Sequence, residues 1–270
     1  QYNAGVCDVA VIGAGHAGIE AALAVIQVGE DPASSIYVRN KKKACAYVGV
    51  RSESYELPRE TTQEALLALI EELNGRADIQ GILVQLPLPS HIDEDAVIRA
   101  IAPEKDVDGF HPESVGRMCI GEQGYLPCTP AGIIQLLKRS GVSIEGKECV
   151  VVGRSNIVGK PMALLMLREN ATVTITHSRT KDLREVCRRA DILIACAGVA
   201  KMITPEFTNP NQIVVDVGIN FADGKLCGDV DYDAVAPLVA GISPVPGGVG
   251  TITSTVILKH TIISAESRKR

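Results

Sequence analysis

Short runs of β-branched and aliphatic residues alternate along this chain with stretches of helical periodicity. Residues 25–28, 82–84, 150–152, 173–176, 192–195 and 213–217 predict strands. Residues 61–73 predict a helix, with Thr61 or Thr62 as its cap and Leu66, Leu69, Ile70 and Leu73 on one face. Thr129-Pro130 places a capping hydroxyl before a proline at a first helical position, and Ile133, Ile134, Leu136 and Leu137 follow. Ser34 to Lys41 opens another helix, and residues 161–167 and the tail from Ser254 onward complete the set. The closing Arg268-Lys269-Arg270 suits a helix C-terminus or a frayed tail. Strand and helix alternate throughout, so the predicted class is α/β. Gly- and Pro-containing connectors fall at residues 121–129 and 243–248, and no internal repeat or low-complexity segment interrupts the pattern.

Composition narrows the function classes. The 270 residues are 46% hydrophobic and 22% charged, ordinary for a globular chain of nearly two domains' length at about 150 residues each. A formal net charge of −5 argues against a nucleic-acid binder, and 3% aromatics without Trp remove stacked-base recognition. The longest apolar runs, such as residues 192–200, fall short of the ~18 residues of a membrane span. The opening residues have neither the basic region nor the clean apolar region of a signal peptide, so none is expected. The eight cysteines form no Cys-x-x-C pair. Several, Cys149 and Cys196 among them, sit in apolar strand-like runs and read as small buried hydrophobes of a reducing cytoplasm, and no metal site is expected.

The strongest local signal is Cys149-Val-Val-Val-Gly-Arg-Ser-Asn-Ile-Val-Gly-Lys-Pro161. An apolar strand runs into Gly153, and Gly159 follows where a helix begins. Such a turn presents backbone N–H groups and a helix N-terminus to a phosphate, although an ordinary strand–helix turn would look similar. The next strand ends at His177-Ser178-Arg179-Thr180, with no carboxylate for a ribose 2′-hydroxyl. A hydroxyl and cations, Arg154 included, suit a 2′-phosphate, which favours NADP over NAD. Cys196-Ala197-Gly198 is a small-residue turn that lets a cofactor approach the backbone. Elsewhere Tyr37 and Lys41 share a helix face, most often a solvated one; a lysine carries protons only where burial or charge lowers its pKa. Gln85 follows a strand, the usual place for site residues in open sheets. Asp108-Gly109 by itself commonly marks a solvated turn, and Gly247-Gly248 either admits substrate to the backbone or forms a hinge.

Six segments carry a resemblance in order. They are Val28-Gly-Glu-Asp-Pro-Ala-Ser-Ser-Ile-Tyr-Val-Arg-Asn-Lys41, Val84-Gln-Leu-Pro-Leu-Pro89, Pro103-Glu-Lys-Asp-Val-Asp-Gly109, Pro127-Cys-Thr-Pro130, Val152-Gly-Arg-Ser-Asn-Ile-Val-Gly-Lys-Pro161 and Pro244-Val-Pro-Gly-Gly-Val-Gly250. From about Leu23 onward the chain resembles the bifunctional methylenetetrahydrofolate dehydrogenase/methenyltetrahydrofolate cyclohydrolase family. The resemblance implies two lobes: an N-terminal α/β substrate domain over 1–126, a Rossmann-like NADP-binding domain over 127–249, and a C-terminal helix, 250–270, returning to the first lobe. The site is then expected in the cleft between lobes. NADP accepts a hydride from 5,10-methylenetetrahydrofolate, and water opens the methenyl product to 10-formyltetrahydrofolate, in one-carbon metabolism. The resemblance makes Lys41 the general acid/base of water addition, with Tyr37 positioning the folate and Gln85 tuning Lys41. Asp108 grips the pterin, whose ring N–H and exocyclic amine match a carboxylate's two oxygens. Pro246, Gly247 and Gly248 join the substrate site. Gly153, Arg154, Ser155, Val158, Gly159, Pro161, Ser178, Arg179, Ala197, Gly198, Gly218 and Ile219 join the cofactor site. A cytoplasmic homodimer formed through the cofactor lobes is implied, with tetrahydrofolate derivatives as its partners and neither nucleic acid nor membrane.

Two stretches depart from the family pattern. Thr251-Ile252-Thr253 stands where the family has Pro-Met-Thr, and the lost proline is expected to loosen that turn. Residues 2–23 resemble instead the FAD-binding N-terminus of the tRNA-uridine-modifying flavoprotein family (glucose-inhibited division protein A), through Gly13-Ala-Gly15-His-Ala-Gly18. Only about seven residues separate Gly18 from the strand at Val25, too few for a sheet-crossing helix, so FAD is not expected. The family's amphipathic first helix is replaced over 1–22, which is expected to uncover apolar surface. These departures keep open a catalytically impaired folate- or nucleotide-binding protein, against which the retention of Lys41 argues.

Overall fold

The structure is a computed structural model and describes residues 21–30, 32–222 and 224–267. The readings on residues 1–20 and 268–270, the glycine motif at 13–18 included, lie outside the described residues. The chain divides into two compact units. One runs to Cys128 and takes in the residues from Ser254 onward; the other is Thr129–Thr253.

The first unit is built on three parallel strands, β1 (Ala22–Val28), β2 (Arg51–Leu57) and β3 (Gly81–Val84), in the order β2-β1-β3. Ala22 pairs with Arg51 and Leu23 with Gly81. β1 and β3 are buried along their whole length, which is why they read as unbroken apolar runs. β2 lies at an edge of the described sheet and mixes exposed and half-buried positions, so its sequence, Arg-Ser-Glu-Ser-Tyr-Glu-Leu, carries no apolar run. Helices α1 (Pro32–Val48), α2 (Gln63–Gly75), α3 (Glu94–Ala100) and α4 (Pro112–Ile120) complete the unit. Thr62 caps α2 by accepting from the Ala65 N–H, and Leu66, Ile70 and Leu73 bury its inner face against the sheet. The far end of α2 is held by a buried ammonium. Lys105 donates to the carbonyls of Leu73, Asn74 and Arg76 at 2.7, 2.8 and 2.6 Å.

The second unit opens with α5 (Cys128–Arg139), whose first residue falls to the other unit. Pro130 is the third residue of α5 rather than its first. It still lies among the first four residues, whose N–H groups have no intrahelical partner, so its missing donor breaks nothing. Then follow β4 (Glu148–Val152), α6 (Gly159–Arg168), β5 (Thr172–Thr176), α7 (Leu183–Arg188), β6 (Ile192–Ala195) and β7 (Ile213–Asp216). An antiparallel pair, β8 (Asn220–Ala222) and β9 (Lys225–Cys227), leads to α8 (Tyr232–Val235) and β10 (Gly241–Ile242). The main sheet is parallel in the order β10-β7-β6-β4-β5. Counted from its own first strand this is the doubly wound order 2-1-3-4-5, whose switch point lies between β4 and β6. Val150, Val152, Leu193, Ala195 and Val214 form its buried centre. Cys196 lies just beyond β6 and is half-buried, a correction to its reading as a core residue; Cys149 is buried within β4.

The last helix, α9 (Val249–Ser267), carries residues of both units. Beyond Ser254 it packs into the first: Ser264 Oγ donates to the carbonyls of Gln80 and Glu104 at 2.8 and 3.1 Å. Among the described residues no helix is long and apolar enough to cross a membrane.

Candidate active site

Lys41 sits on the inward face of α1 with Val38 and Cys45, all three buried. The common fate of a helical lysine is therefore not the one realised here. At 7% exposure, its Nζ donates to Gln85 Oε1 at 2.9 Å. Burial pushes the Lys41 ammonium below the ordinary lysine range, while the charge of Asp108 acts in the opposite direction. Gln85 is held at the carboxyl end of β3, beside the point where the β2-β1-β3 sheet reverses its winding. Its backbone N–H donates to the Ile26 carbonyl at 2.8 Å, and its side-chain Nε2 to the Leu86 carbonyl at 2.7 Å. The amide is thus fixed with its oxygen toward Lys41. The backbone of Tyr37 lies in α1, one turn before Lys41; its side chain lies outside the described residues.

The Asp106–Gly109 turn is a built structure rather than a solvated loop. Asp106 is 2% exposed and accepts from the N–H groups of Gly109, Phe110 and His111 and from Ser114 Oγ. Those bonds tie the turn to the start of α4, and Asp106 itself bridges to Ile82 of β3. Gly109 has φ +76°, and a Cβ there would run into the Leu126–Pro127 backbone. Asp108 is presented between these fixed points, half-buried beside an apolar pocket lined by Ile82, Val84, Leu86 and Phe110. Burial raises its carboxyl to about 6, against the lowering pull of Lys41. Behind it the buried Cys128 Sγ donates to the Val107 carbonyl at 3.1 Å, and His260 Nδ1 meets the same carbonyl at 2.9 Å.

In the second unit the expected cofactor residues gather at the carboxyl ends of β5, β4, β6 and β7. Gly153 (φ +133°) leaves β4, donates to the Thr176 carbonyl at 3.0 Å and lies so close to Cys196 that any Cβ would overlap its carbonyl. Gly159 is packed equally tightly on Gly153. Ser155 Oγ accepts from the N–H groups of Val158 and Gly159, both at 3.2 Å. That corrects the picture of a fully open helix terminus: two of its donors are already satisfied. The N–H groups of Arg154, Ser155, Asn156 and Ile157 donate to nothing among the described residues; the first three lead the turn and are free to meet a phosphate. Ser155 keeps its hydroxyl proton to donate. The Arg154, Ser178 and Arg179 side chains are exposed, Pro161 is buried in the first turn of α6, and Val158 is half-buried. Ala197 and Gly198 do form a tight turn, but their N–H groups point inward to Asp229. Gly218 is buried and Ile219 is exposed.

Sequence reasoning missed Asp216 and Asp229, which hold these loops. Their signal was Asp216-Val-Gly-Ile-Asn220 and Gly228-Asp229, where acids sit next to glycines at strand ends. Pro246 and Gly247 are exposed and Gly248 is buried, all in the second unit. Residues 251–253 lie in the opening turns of α9. Thr251 Oγ1 donates to the Gly248 carbonyl at 2.7 Å, and Thr253 Oγ1 meets Thr129 Oγ1 at 3.2 Å. Among the described residues no cluster of His, Cys, Asp or Glu could hold a metal ion.

Known proteins place this architecture. A profile for the tetrahydrofolate dehydrogenase/cyclohydrolase catalytic domain matches residues 8–108, and one for the NAD(P)-binding domain of the same family matches residues 127–269. The first match thus reaches into the atypical opening segment. The bifunctional protein FolD of Agathobacter rectalis is 63% identical over 254 residues, 94% of this chain and 90% of that protein. The crystal structure of the bifunctional enzyme FolD from Campylobacter jejuni superposes with a TM-score of 0.92 at 46% identity, covering 97% of this chain and 94% of that one. The Trypanosoma brucei FolD, solved with NADP cofactor and an inhibitor, gives a TM-score of 0.91 at 39% identity over 97% and 92% of the two chains. The chain therefore belongs to the tetrahydrofolate dehydrogenase/cyclohydrolase family and is a bifunctional, NAD(P)-dependent methylenetetrahydrofolate dehydrogenase and methenyltetrahydrofolate cyclohydrolase.

Proposed function

We propose that Lys41 moves the protons of the cyclohydrolase step. The observation that carries this is a buried lysine held by Gln85 beside Asp108. Burial favours the neutral amine, which can take a proton from the water that attacks the methenyl carbon. The same group, once charged, can return a proton to the ring nitrogen that leaves as the five-membered ring opens. Gln85 accepts from Lys41 and so aims the remaining valences of Nζ toward the substrate. Asp108 accepts the pterin N–H pair on its two carboxylate oxygens, and Tyr37 positions the folate from the same helix as Lys41. Pro246, Gly247 and Gly248 offer the substrate a close approach to backbone.

The free N–H groups at residues 154–156 and the exposed Arg154, Ser178 and Arg179 fit a dinucleotide carrying a 2′-phosphate, so we assign NADP rather than NAD as the preferred cofactor. When bound, NADP accepts the hydride from the methylene carbon. The chain's own part in that step is to orient the cofactor and exclude water. The working form is a cytoplasmic homodimer joined through its cofactor units. The T. brucei relative's NADP complex supports the cofactor assignment.

The test is Lys41→Ala, assayed for both activities. Loss of cyclohydrolase by at least about a hundredfold is expected, in the range of lost acid–base catalysis. A variant with parental cyclohydrolase overturns the assignment. Turnover with NAD alone would overturn the roles given to Arg154 and Ser178, and a monomer by sedimentation would overturn the dimer.

A further inference from the structure

Two buried aspartates, Asp216 at the end of β7 and Asp229 just after β9, are used by no step above. Asp229 is 0% exposed. Its Oδ2 accepts from Ala197 N at 2.6 Å and Gly198 N at 2.9 Å; its Oδ1 accepts from Val199 N at 3.0 Å and Asn220 Nδ2 at 2.9 Å. Four donors fill the acceptor sites of one carboxylate. Asp216, also buried, accepts from the N–H groups of Gly218, Asp229 and Val230. Gly218 and Gly228 pack so tightly on these carboxylates that a Cβ at either would overlap them. The two acids therefore form one knot under the turn at 197–199 and the loop after β7. The outer side of that turn is open: Gly198 has φ +70°, and nothing lies within 4 Å of the place its Cβ would take.

Three consecutive N–H groups drawn inward onto one carboxylate fix the curvature of a turn whose other face is bare. We propose that Asp229 is a positioning residue of the cofactor site, holding the 197–199 turn in the shape against which the dinucleotide lies. This rests on the reading that Ala197 and Gly198 face the cofactor. Asp216 supports it from below by fixing the backbone of Asp229. An asparagine at 229 would turn an NH2 toward N–H groups, so a near-isosteric change breaks the device.

The experiment uses the full chain and Asp229→Asn. It measures NADP binding by calorimetry, hydrogen exchange of the peptide containing residues 197–199, KM for NADP, and the cyclohydrolase rate, which uses no NADP. Expected are faster exchange at that peptide and NADP affinity lowered about tenfold, the size of lost bonds to a charged acceptor. KM for NADP rises in step, while cyclohydrolase falls no more than about twofold. Parental exchange together with parental affinity overturns the proposal. Faster exchange with parental affinity also overturns it, and places the failure in the reading of residues 197–198. Should Asp229→Asn not fold, Asn220→Ala removes one donor from the same carboxylate. It is expected to weaken NADP about threefold, and unchanged affinity there counts against the proposal in the same way.

Discussion

Burial sets the protonation of single residues in the first unit, and its sign differs from group to group. His260 is buried and donates from Nδ1 to the Val107 carbonyl, which has no proton to give in return. Burial lowers its pKa to about 4, while that hydrogen bond pulls the other way. The folded value lies below the ordinary histidine value of ~6.5, so between those two pH values the unfolded chain binds more protons. Stability from this residue is therefore complete above about pH 6.5 and is lost as pH falls toward 4. His260→Gln keeps a donor for Val107 and is expected to flatten that decline by about 3 kcal/mol, read from denaturation at pH 7 and pH 4. Lys41 gives a kinetic counterpart. Gln85 accepts from its charged form and so supports that form. Gln85→Leu should lower the Lys41 pKa further, reduce cyclohydrolase about tenfold or more, and move the limb of the pH–rate profile that reports Lys41 to lower pH. An unmoved limb would separate Gln85 from Lys41.

At the scale of elements, Lys105 shows what sequence patterns conceal. It lies within Pro103-Glu-Lys-Asp-Val-Asp-Gly109, a segment singled out for its aspartates, yet its ammonium closes the C-terminus of α2 against three carbonyls. Lys105→Met is expected to cost about 2–4 kcal/mol by chemical denaturation, since it leaves buried carbonyls without donors. Thr251→Pro, by contrast, gives up the bonds of Thr251 to Gly248 but places a proline at the third residue of α9, where no intrahelical N–H is needed. It should change stability by no more than about 1 kcal/mol. The elements that were legible, β3, β4, β6 and α2 among them, bury an apolar face or both faces, and burial writes itself into residue type. β2 was not legible, because an edge strand with polar positions shows no run. The short α3 and α4 were missed as well, because their starts are set by Asp93 and by His111 with Asp106 rather than by apolar periodicity. Within the site, Lys41 and Asp108 came from the family resemblance, as residue types alone left them on a solvated face and in a solvated turn; Gln85 was marked by its place after a strand, and the resemblance supplied its role. Asp229 escaped even that, since three of its four donors are backbone N–H groups 30 to 32 residues away.

For the whole molecule, the proposed roles assign the two activities to residues held in two separate compact units. Lys41, Gln85 and Asp108 all belong to the first unit, and the strand ends expected to meet the dinucleotide belong to Thr129–Thr253. Water addition needs no NADP, so damage confined to the second unit should divide the activities. Gly153 offers the sharpest cut. Its φ of +133° is a conformation that residues with a Cβ rarely adopt, and a side chain there would overlap the Cys196 carbonyl across the switch point. Gly153→Val must push apart the ends of β4 and β6, and with them the turn bearing the free N–H groups of residues 154–156. Dehydrogenase activity and NADP binding should fall by at least about a hundredfold, the scale of a reacting group misplaced by about 1 Å. Cyclohydrolase should stay within about threefold of the parent, measured on enzyme shown by its thermal transition to be folded. Equal loss of both activities in folded protein would mean that water addition depends on the second unit as well.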